Sequence, residues 1–314
     1  MPDPAPPVLT VFALPKAFAG HIGLIQNNAL ASWAALAPAV EVLLFGDDPG
    51  VAEAAAAHGV AHQPTIGRNE FGTPRLDQLF AAADRLARGR MLCYVNADLI
   101  LLPDFVAAAE RAEAAFGEKF LMIGRRIDTD ITRKIDFPTT PTTAREETAA
   151  ALIDEAARVG RLAPVVCKDY FCFPRGLFAT IPAFAIGRGN WDNWMVAAAR
   201  DRGLPVVDAT AVTHVIHQNH GHGHVAGNKL AAYVSGPEAE ANRRLAGGRN
   251  LVRGSTTTHR LTGDGVVRRR LPDIATFASD LPRFMMLLAG MVGLWPPRWP
   301  GRTAAAGTPG PSRT

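Results

Sequence analysis

Three cysteines in 314 residues, none in a Cys-x-x-Cys spacing, are too few and too scattered for a disulfide framework or a structural zinc site. Cys93, Cys167 and Cys172 sit within apolar segments and read as small buried hydrophobes of a reducing compartment. Long apolar runs are missing as well: residues 284–295 are twelve apolar residues that include two glycines, against the roughly 20 needed to span a bilayer. Residues 1–7 have neither a basic segment nor an apolar one of the kind that begins a signal peptide, so a cytoplasmic location is expected. Aromatics are sparse at 7%, and the basic stretch late in the chain lacks the interleaved rings of a nucleic-acid surface, so no nucleic-acid partner is expected. The hydrophobic content of 48% excludes a wholly disordered or fibrous chain and suits about two domains or one large one.

Charge is unevenly spread. Eight arginines face one acid between Arg243 and Arg270, a net +7, and residues 271–314 add +2; with +4 overall, residues 1–242 are left at −5. Any anion-seeking surface therefore lies late in the chain. Two readings of that basic stretch and the apolar segment after it stay open. Either they dock on an anionic membrane surface at the inner face, which would suit a lipid-linked acceptor, or the arginines cover the acidic body and the apolar segment packs as a last helix.

The first 125 residues alternate between strand and helix. Strands are expected over 8–13, 40–45, 91–95 and 120–124, and helices over 22–36, 51–58, from Thr73-Pro74 to about 88, and 104–116. Repeated β–α units predict a sheet that is mainly parallel. Residues 126–164 turn polar and rich in Thr and Pro, and read as an insertion holding one helix, 145–159. Regular structure resumes with a strand at 169–173, a helix at 191–202 and a strand at 206–216 that runs into histidines. The expected organisation is a catalytic domain over 1–240, a basic extension with a short apolar helix over 241–295, and a disordered tail over 296–314.

In an open α/β sheet, ligands sit at the carboxyl ends of the strands. Asp47 and Asp48 follow one apolar strand there, and Asn96-Ala97-Asp98 follows another. Two oxygen-bearing side chains one residue apart suit a hard cation such as a diphosphate-bound Mg²⁺ or Mn²⁺, and equally suit a plain turn. Five of the nine histidines lie at 214, 217, 220, 222 and 224, either as imidazole ligands to a metal held by Asp98 or as a solvated Gly/His loop. Asp192, between Trp191 and Trp194 at a helix start, is either a cap among core aromatics or a base beside a ring that stacks on a sugar. Arg75 and Asp77, on the first turn of their helix, are placed to contact a diphosphate and a ribose, or are ordinary surface charges.

Taken together, the segments FALPKAFAGHIGLIQNNALASW, LLFGDD, NEFGTPRLDQLF, CYVNADLILLPDF, DYFCFPRGLF, IGRGNWDNWM, DATAVTHVIHQNH and GPEAEANRRLAGG resemble GT-A glycosyltransferases over residues 8–248. The resemblance implies the GT-A (Rossmann-like) α/β fold and transfer of a sugar from a nucleoside-diphosphate donor to the hydroxyl of a glycan or lipid-linked acceptor. It implies a donor base near Asp47 or Asp48 and the metal-diphosphate at Asn96-Ala97-Asp98; Arg75, Asp77 and Trp191 complete the donor-binding candidates from their own positions in the sequence. It also implies a divalent cation, Mn²⁺ or Mg²⁺, at Asp98 with His217 or His220. Asp192 matches the position of the catalytic base in inverting enzymes of this fold. Asn96 stands where the family's DxD motif begins with Asp, and this departure favours the alternative of an inactive nucleotide-sugar-binding scaffold. A sugar nucleotidyltransferase ranks last, because the loop Leu14–Gly20 holds one glycine where that chemistry uses a Gly-rich loop.

Overall fold

The computed structural model describes residues 6–140, 142–165, 167–220, 235–247 and 257–269. In chain order the elements are β1 (Leu9–Ala13), α1 (Gly20–Ala34), β2 (Val40–Phe45), α2 (Val51–His58), β3 (Ala61–Gln63), α3 (Leu76–Leu86), β4 (Met91–Val95), β5 (Leu99–Ile100), α4 (Pro103–Phe116), β6 (Leu121–Ile123) and β7 (Ile127–Thr129). They continue with α5 (Thr142–Val159), β8 (Arg161–Leu162), β9 (Tyr170–Pro174), α6 (Trp191–Asp201), β10 (Val206–Asp208), β11 (Ile216–Gln218), α7 (Pro237–Leu245), β12 (His259–Thr262) and β13 (Gly265–Arg268).

Nine strands form one mixed, mainly parallel sheet in the order β13-β12-β10-β6-β9-β4-β1-β2-β3. Within it β9 runs antiparallel to both of its neighbours, β4 and β6, and β13 runs antiparallel to β12. A smaller sheet, β5-β11-β7-β8, stands beside the carboxyl end of β4. Strands β1, β4 and β9 are buried along their whole length, which is why they read as apolar runs, broken only by Thr10 in β1: a strand covered on both faces needs no polar side. One face packs against α1, α2 and α4 through Trp33, Val51 and Phe105. The other packs against α3 and α6 through Phe80 and Met195, where the rings of Phe12, Phe80, Tyr94 and Phe173 meet at centroid spacings of 5.2–5.9 Å. Burying each such ring contributes about 2–3 kcal/mol.

Four expectations are corrected. Helix α3 starts at Leu76 rather than at Pro74, with Arg75 at its N-cap, because residues 74 and 75 are held extended by backbone bridges to Arg68 and Ala185. The single strand expected over 206–216 is two strands in two sheets. Asp208 Oδ1 accepts the Thr210 N–H at 2.9 Å, and Val212 N–H closes a turn on Ala209 O, so the chain breaks after Asp208. The insertion carries β7 and β8 in addition to its helix, and together with β5 and β11 they build the smaller sheet. Residues 257–269, expected in the basic extension, form the β12–β13 hairpin on the edge of the main sheet, where Arg269 pairs with Asp208 at 2.6 Å.

The apolar segment 284–295, the tail 296–314, His222 and His224 lie outside the described residues. Among the described residues no helix is long and apolar enough to cross a membrane.

Candidate active site

The carboxyl end of β4 is where buried charge collects. Asn96, Ala97 and Asp98 leave the strand, and β5 follows at once, pinned to α1 by the Trp33 indole N–H on Leu99 O (2.9 Å) and by Ser32 Oγ on Leu101 N–H (3.2 Å). Three polar side chains of α1 are buried rather than solvated, and each ties a loop of the site. Gln26 bonds the backbone N–H and C=O of Lys16, both at 2.8 Å, and so holds the loop after β1. Gly23 permits this approach, since a Cβ there would lie 2.8 Å from the Phe18 carbonyl carbon. Asn28 donates to Gln218 Oε1 (2.9 Å), and Gln218 in turn donates from its side chain to Ile25 O (2.8 Å) and from its backbone to Asp98 O (3.2 Å).

These bonds set β11 beside Asp98. His220 Nε2 lies 3.1 Å from Asp98 Oδ2 and His217 Nε2 lies 3.6 Å from the same oxygen. One ligating atom from each of the three residues falls within 4.8 Å of the others. Burial alone would raise the Asp98 carboxyl, but hydrogen bonds and charge from His217 and His220 outweigh it and hold Asp98 far below the ordinary carboxylate range. Burial likewise pulls His217 down, and Asp98 outweighs it, so the imidazole ends above its ordinary value. Asp98 Oδ1 is buried and has no hydrogen-bond partner. A desolvated carboxylate oxygen left over beside two imidazoles is a donor set that fits a divalent cation, and a mixed N/O set suits Mn²⁺.

The Asn96 side chain is engaged through both its amide nitrogen and its amide oxygen. Its side-chain N–H donates to Asp169 Oδ1 at 2.7 Å, and its Oδ1 accepts the Tyr94 hydroxyl at 3.2 Å. Asp169 is pushed upward by burial, an effect that Arg126 opposes from 2.6 Å. A cleft of about 280 Å³ opens over these groups, with Lys16, Tyr94, Asp98, Lys168 and Asp192 among its lining residues. A larger cavity of about 710 Å³ lies at the opposite, amino-terminal end of the strands beside Glu41, His58 and Arg88, away from the ends where α/β sheets bind ligands.

Asp192 enters the cleft on the first turn of α6. Asn190 is the N-cap at φ +82°, a left-handed conformation that Asn tolerates, and makes no side-chain cap bond. Asp192 is therefore not the cap, and its Oδ1 is buried without a hydrogen-bond partner. The loop that leads to it is braced from behind by α7. Glu238 takes Asn69 at 2.7 Å and Arg188 at 2.5 Å, while Asn242 bonds both backbone groups of Ala185.

The structure brings Asn96, Asp98, Trp191, Asp192 and His220 to one cleft and sets His217 against Asp98. Trp191 lines the cleft, yet its ring packs on Tyr94 (5.1 Å) and Phe171 (5.2 Å) within the core. Asp47 lies outside the cleft lining, exposed and paired with Arg68 at 2.7 Å; Asp48 is half-buried beyond the same strand end. Arg75 and Asp77 pair with each other at 2.6 Å. His214 leaves the cluster for Asp104, 2.7 Å away. Sequence reasoning missed Lys168, Asp169, Arg126 and Asp128. Arg126 and Asp128 share one face by strand alternation, and Lys168-Asp169 is a charged pair opening an apolar strand, but neither pattern is distinctive until the chain has folded.

No protein-family profile and no curated protein sequence matches this chain. Its fold does match solved structures. Staphylococcus aureus TarS residues 1–349 in complex with UDP-GlcNAc superposes with a TM-score of 0.50 at 10% identity, over 90% of this chain and 72% of that one. The mannosyltransferase PcManGT from Pyrobaculum calidifontis, in complex with GDP-Man and Mn²⁺, gives 0.44 at 14% identity, over 94% and 84%. Glucosyl-3-phosphoglycerate synthase from Mycobacterium tuberculosis gives 0.46 at 15% identity, over 77% and 81%. The chain has the GT-A fold of the glycosyltransferases.

Proposed function

We propose that this protein is a glycosyltransferase that moves a sugar from a nucleoside-diphosphate donor to an acceptor hydroxyl with inversion, aided by a divalent cation. The observation that carries the reading is the buried Asp98 carboxylate at the carboxyl end of β4 in a GT-A fold, whose Oδ2 faces two imidazoles and whose Oδ1 has no hydrogen-bond partner. Asp98, His217 and His220 are the residues that would hold the cation, Mn²⁺ or Mg²⁺. A cation bound there supplies positive charge against the negative charge that develops on the leaving diphosphate.

The chain's own residues supply the rest. Lys16 and Lys168 line the cleft as positive groups suited to a diphosphate, and Lys168 is buried, so its charge acts with little screening. Asp192 takes the proton of the acceptor hydroxyl as the oxygen attacks the anomeric carbon; its buried Oδ1 has no competing donor. Asp47 and Asp48 stand at the end of β2, where the donor base would lie, and Arg68 shares that position through its pair with Asp47. Arg75 and Asp77 reach the donor only if their mutual pair opens, with Arg75 going to the diphosphate and Asp77 to the ribose. A non-catalytic nucleotide-sugar-binding protein is the second reading, favoured by Asn96, whose amide is already engaged by Asp169 and Tyr94.

Calorimetric titration with UDP, GDP, dTDP and CDP, each with Mn²⁺ and again with EDTA, tests the donor site. Binding of one nucleotide that requires the metal is expected, and no binding by a folded protein overturns the proposal. Asp192→Asn then separates the two readings. It is expected to lower transfer by about 10²- to 10⁴-fold with donor binding retained, whereas unchanged turnover removes the base assignment.

A further inference from the structure

Strand β7 of the insertion lies parallel to β11 with Asp128 in register with His217, so the two side chains emerge on the same face of the smaller sheet. His217 offers its Nε2 edge to Asp98, and its other ring nitrogen, Nδ1, lies 3.0 Å from Asp128 Oδ1. Nδ1 is buried and makes no aligned hydrogen bond, and Asp128 Oδ1 is the carboxylate oxygen beside it. Asp128 is itself fixed, because Arg126 holds Oδ1 from Nε at 2.8 Å. The same guanidinium holds Asp169 at 2.6 Å, and Asp169 holds Asn96. A chain of charged contacts thus runs from Asn96 through Asp169, Arg126 and Asp128 to His217, and returns to Asp98.

We propose that Asp128 is a positioning residue that takes the Nδ1–H of His217 and so presents the Nε2 lone pair to a cation at Asp98. The inference rests on the metal reading of the preceding section and extends it into the insertion. An imidazole ligates through one nitrogen, and the hydrogen bond made by the other nitrogen selects the tautomer and the ring orientation. With Asp128 removed, His217 is free to place its proton on Nε2 and donate it to Asp98, which leaves no lone pair for the metal. Register between two strands, rather than a loop conformation, sets the contact, so the smaller sheet acts as the support of the site. This gives the insertion a role that its polar composition does not disclose.

The test measures Mn²⁺ binding alone, by isothermal titration of the full chain without nucleotide, in a double-mutant cycle of Asp128→Ala and His217→Ala. Asp128→Ala is expected to weaken Mn²⁺ by about 10- to 100-fold. Made on top of His217→Ala, it is expected to cost nothing further, because its effect passes through that ring. A general structural role would instead add the same loss in both backgrounds, and that result overturns the inference. Wild-type affinity in Asp128→Ala overturns it equally. Asp128→Asn keeps the shape and an acceptor oxygen, so it should recover most of the affinity; if the alanine variant fails to fold, Asp128→Leu, which keeps the size but has no acceptor, carries the test with the same expected loss. If the wild-type chain binds no Mn²⁺, or binds it as well after Asp98→Ala, the metal reading itself fails and the inference goes with it. If that control behaves and only Asp128 is silent, the metal reading stands without it.

Discussion

The carboxyl edge of the main sheet carries charge in two different ways. Beyond β2 and at the start of α3, Asp47–Arg68 and Arg75–Asp77 are local pairs, with Asp47 and Arg68 open to solvent. Beyond β4, Asp98 is desolvated, gripped by two imidazoles and left with one oxygen unused, while Asp169, Arg126 and Asp128 back it in a connected chain. Exposed pairs contribute little because water already solvates both ions, whereas a buried, incompletely paired carboxylate is costly unless something else binds it. The contrast separates groups free to rearrange around a ligand from groups arranged in advance for one.

Breaking the buried side should have the largest effect. Asp98→Ala is expected to weaken Mn²⁺ binding by about 100-fold or more, read by isothermal titration, because it removes a proposed ligand outright rather than an orienting contact. The next effect is one of stability. Gln218→Ala removes three side-chain bonds, from Asn28 and to the carbonyls of Ile25 and Asp98, while the backbone bond to Asp98 O stays, and should cost about 2 kcal/mol in urea unfolding.

Glu41 sharpens the comparison from the far end of the sheet. Its buried carboxylate would be raised by desolvation, but bonds from the Arg88 backbone, the Thr10 hydroxyl and the Arg88 guanidinium outweigh this and lower it. A folded value below the unfolded one means that the stabilisation is present above the unfolded value and is lost as pH falls through the folded one. Glu41→Gln should therefore cost about 1–2 kcal/mol near neutral pH, and the gap to wild type should close as the solution is acidified, read by thermal melts across pH. The smallest effect belongs to the open side, where Arg68→Ala should change stability by no more than about 0.5 kcal/mol in the same melts.

Much of the fold was legible in residue order. Strands β1, β2 and β4 and helices α2 and α4 lie where apolar runs and periodicity put them, because a strand buried on both faces is a continuous apolar run. The failures share one cause. Residues 206–218 form two strands because Asp208 takes its own backbone into a turn, and Thr73-Pro74 does not open α3 because the chain there pairs with Arg68 and Ala185. Both were settled by hydrogen bonds, some local and some to residues far along the chain, that no hydrophobic period records. The site divides the same way. Asp98 and the histidines beyond residue 213 stand out in the sequence; which histidines face Asp98 does not.

The sequence by itself determined the strand–helix alternation, the buried strands, and the residue types able to hold a cation and take a proton, since composition and period follow directly from burial. The tertiary structure alone decided that His217 and His220, and not His214, meet Asp98, and that an insertion strand backs His217 with Asp128. It also left Asp192 an oxygen without a partner. The physical reason is that burial preference is a property of each residue, whereas a ligand set depends on distances of a few ångströms between residues up to 122 positions apart, which only strand register and a packed core fix.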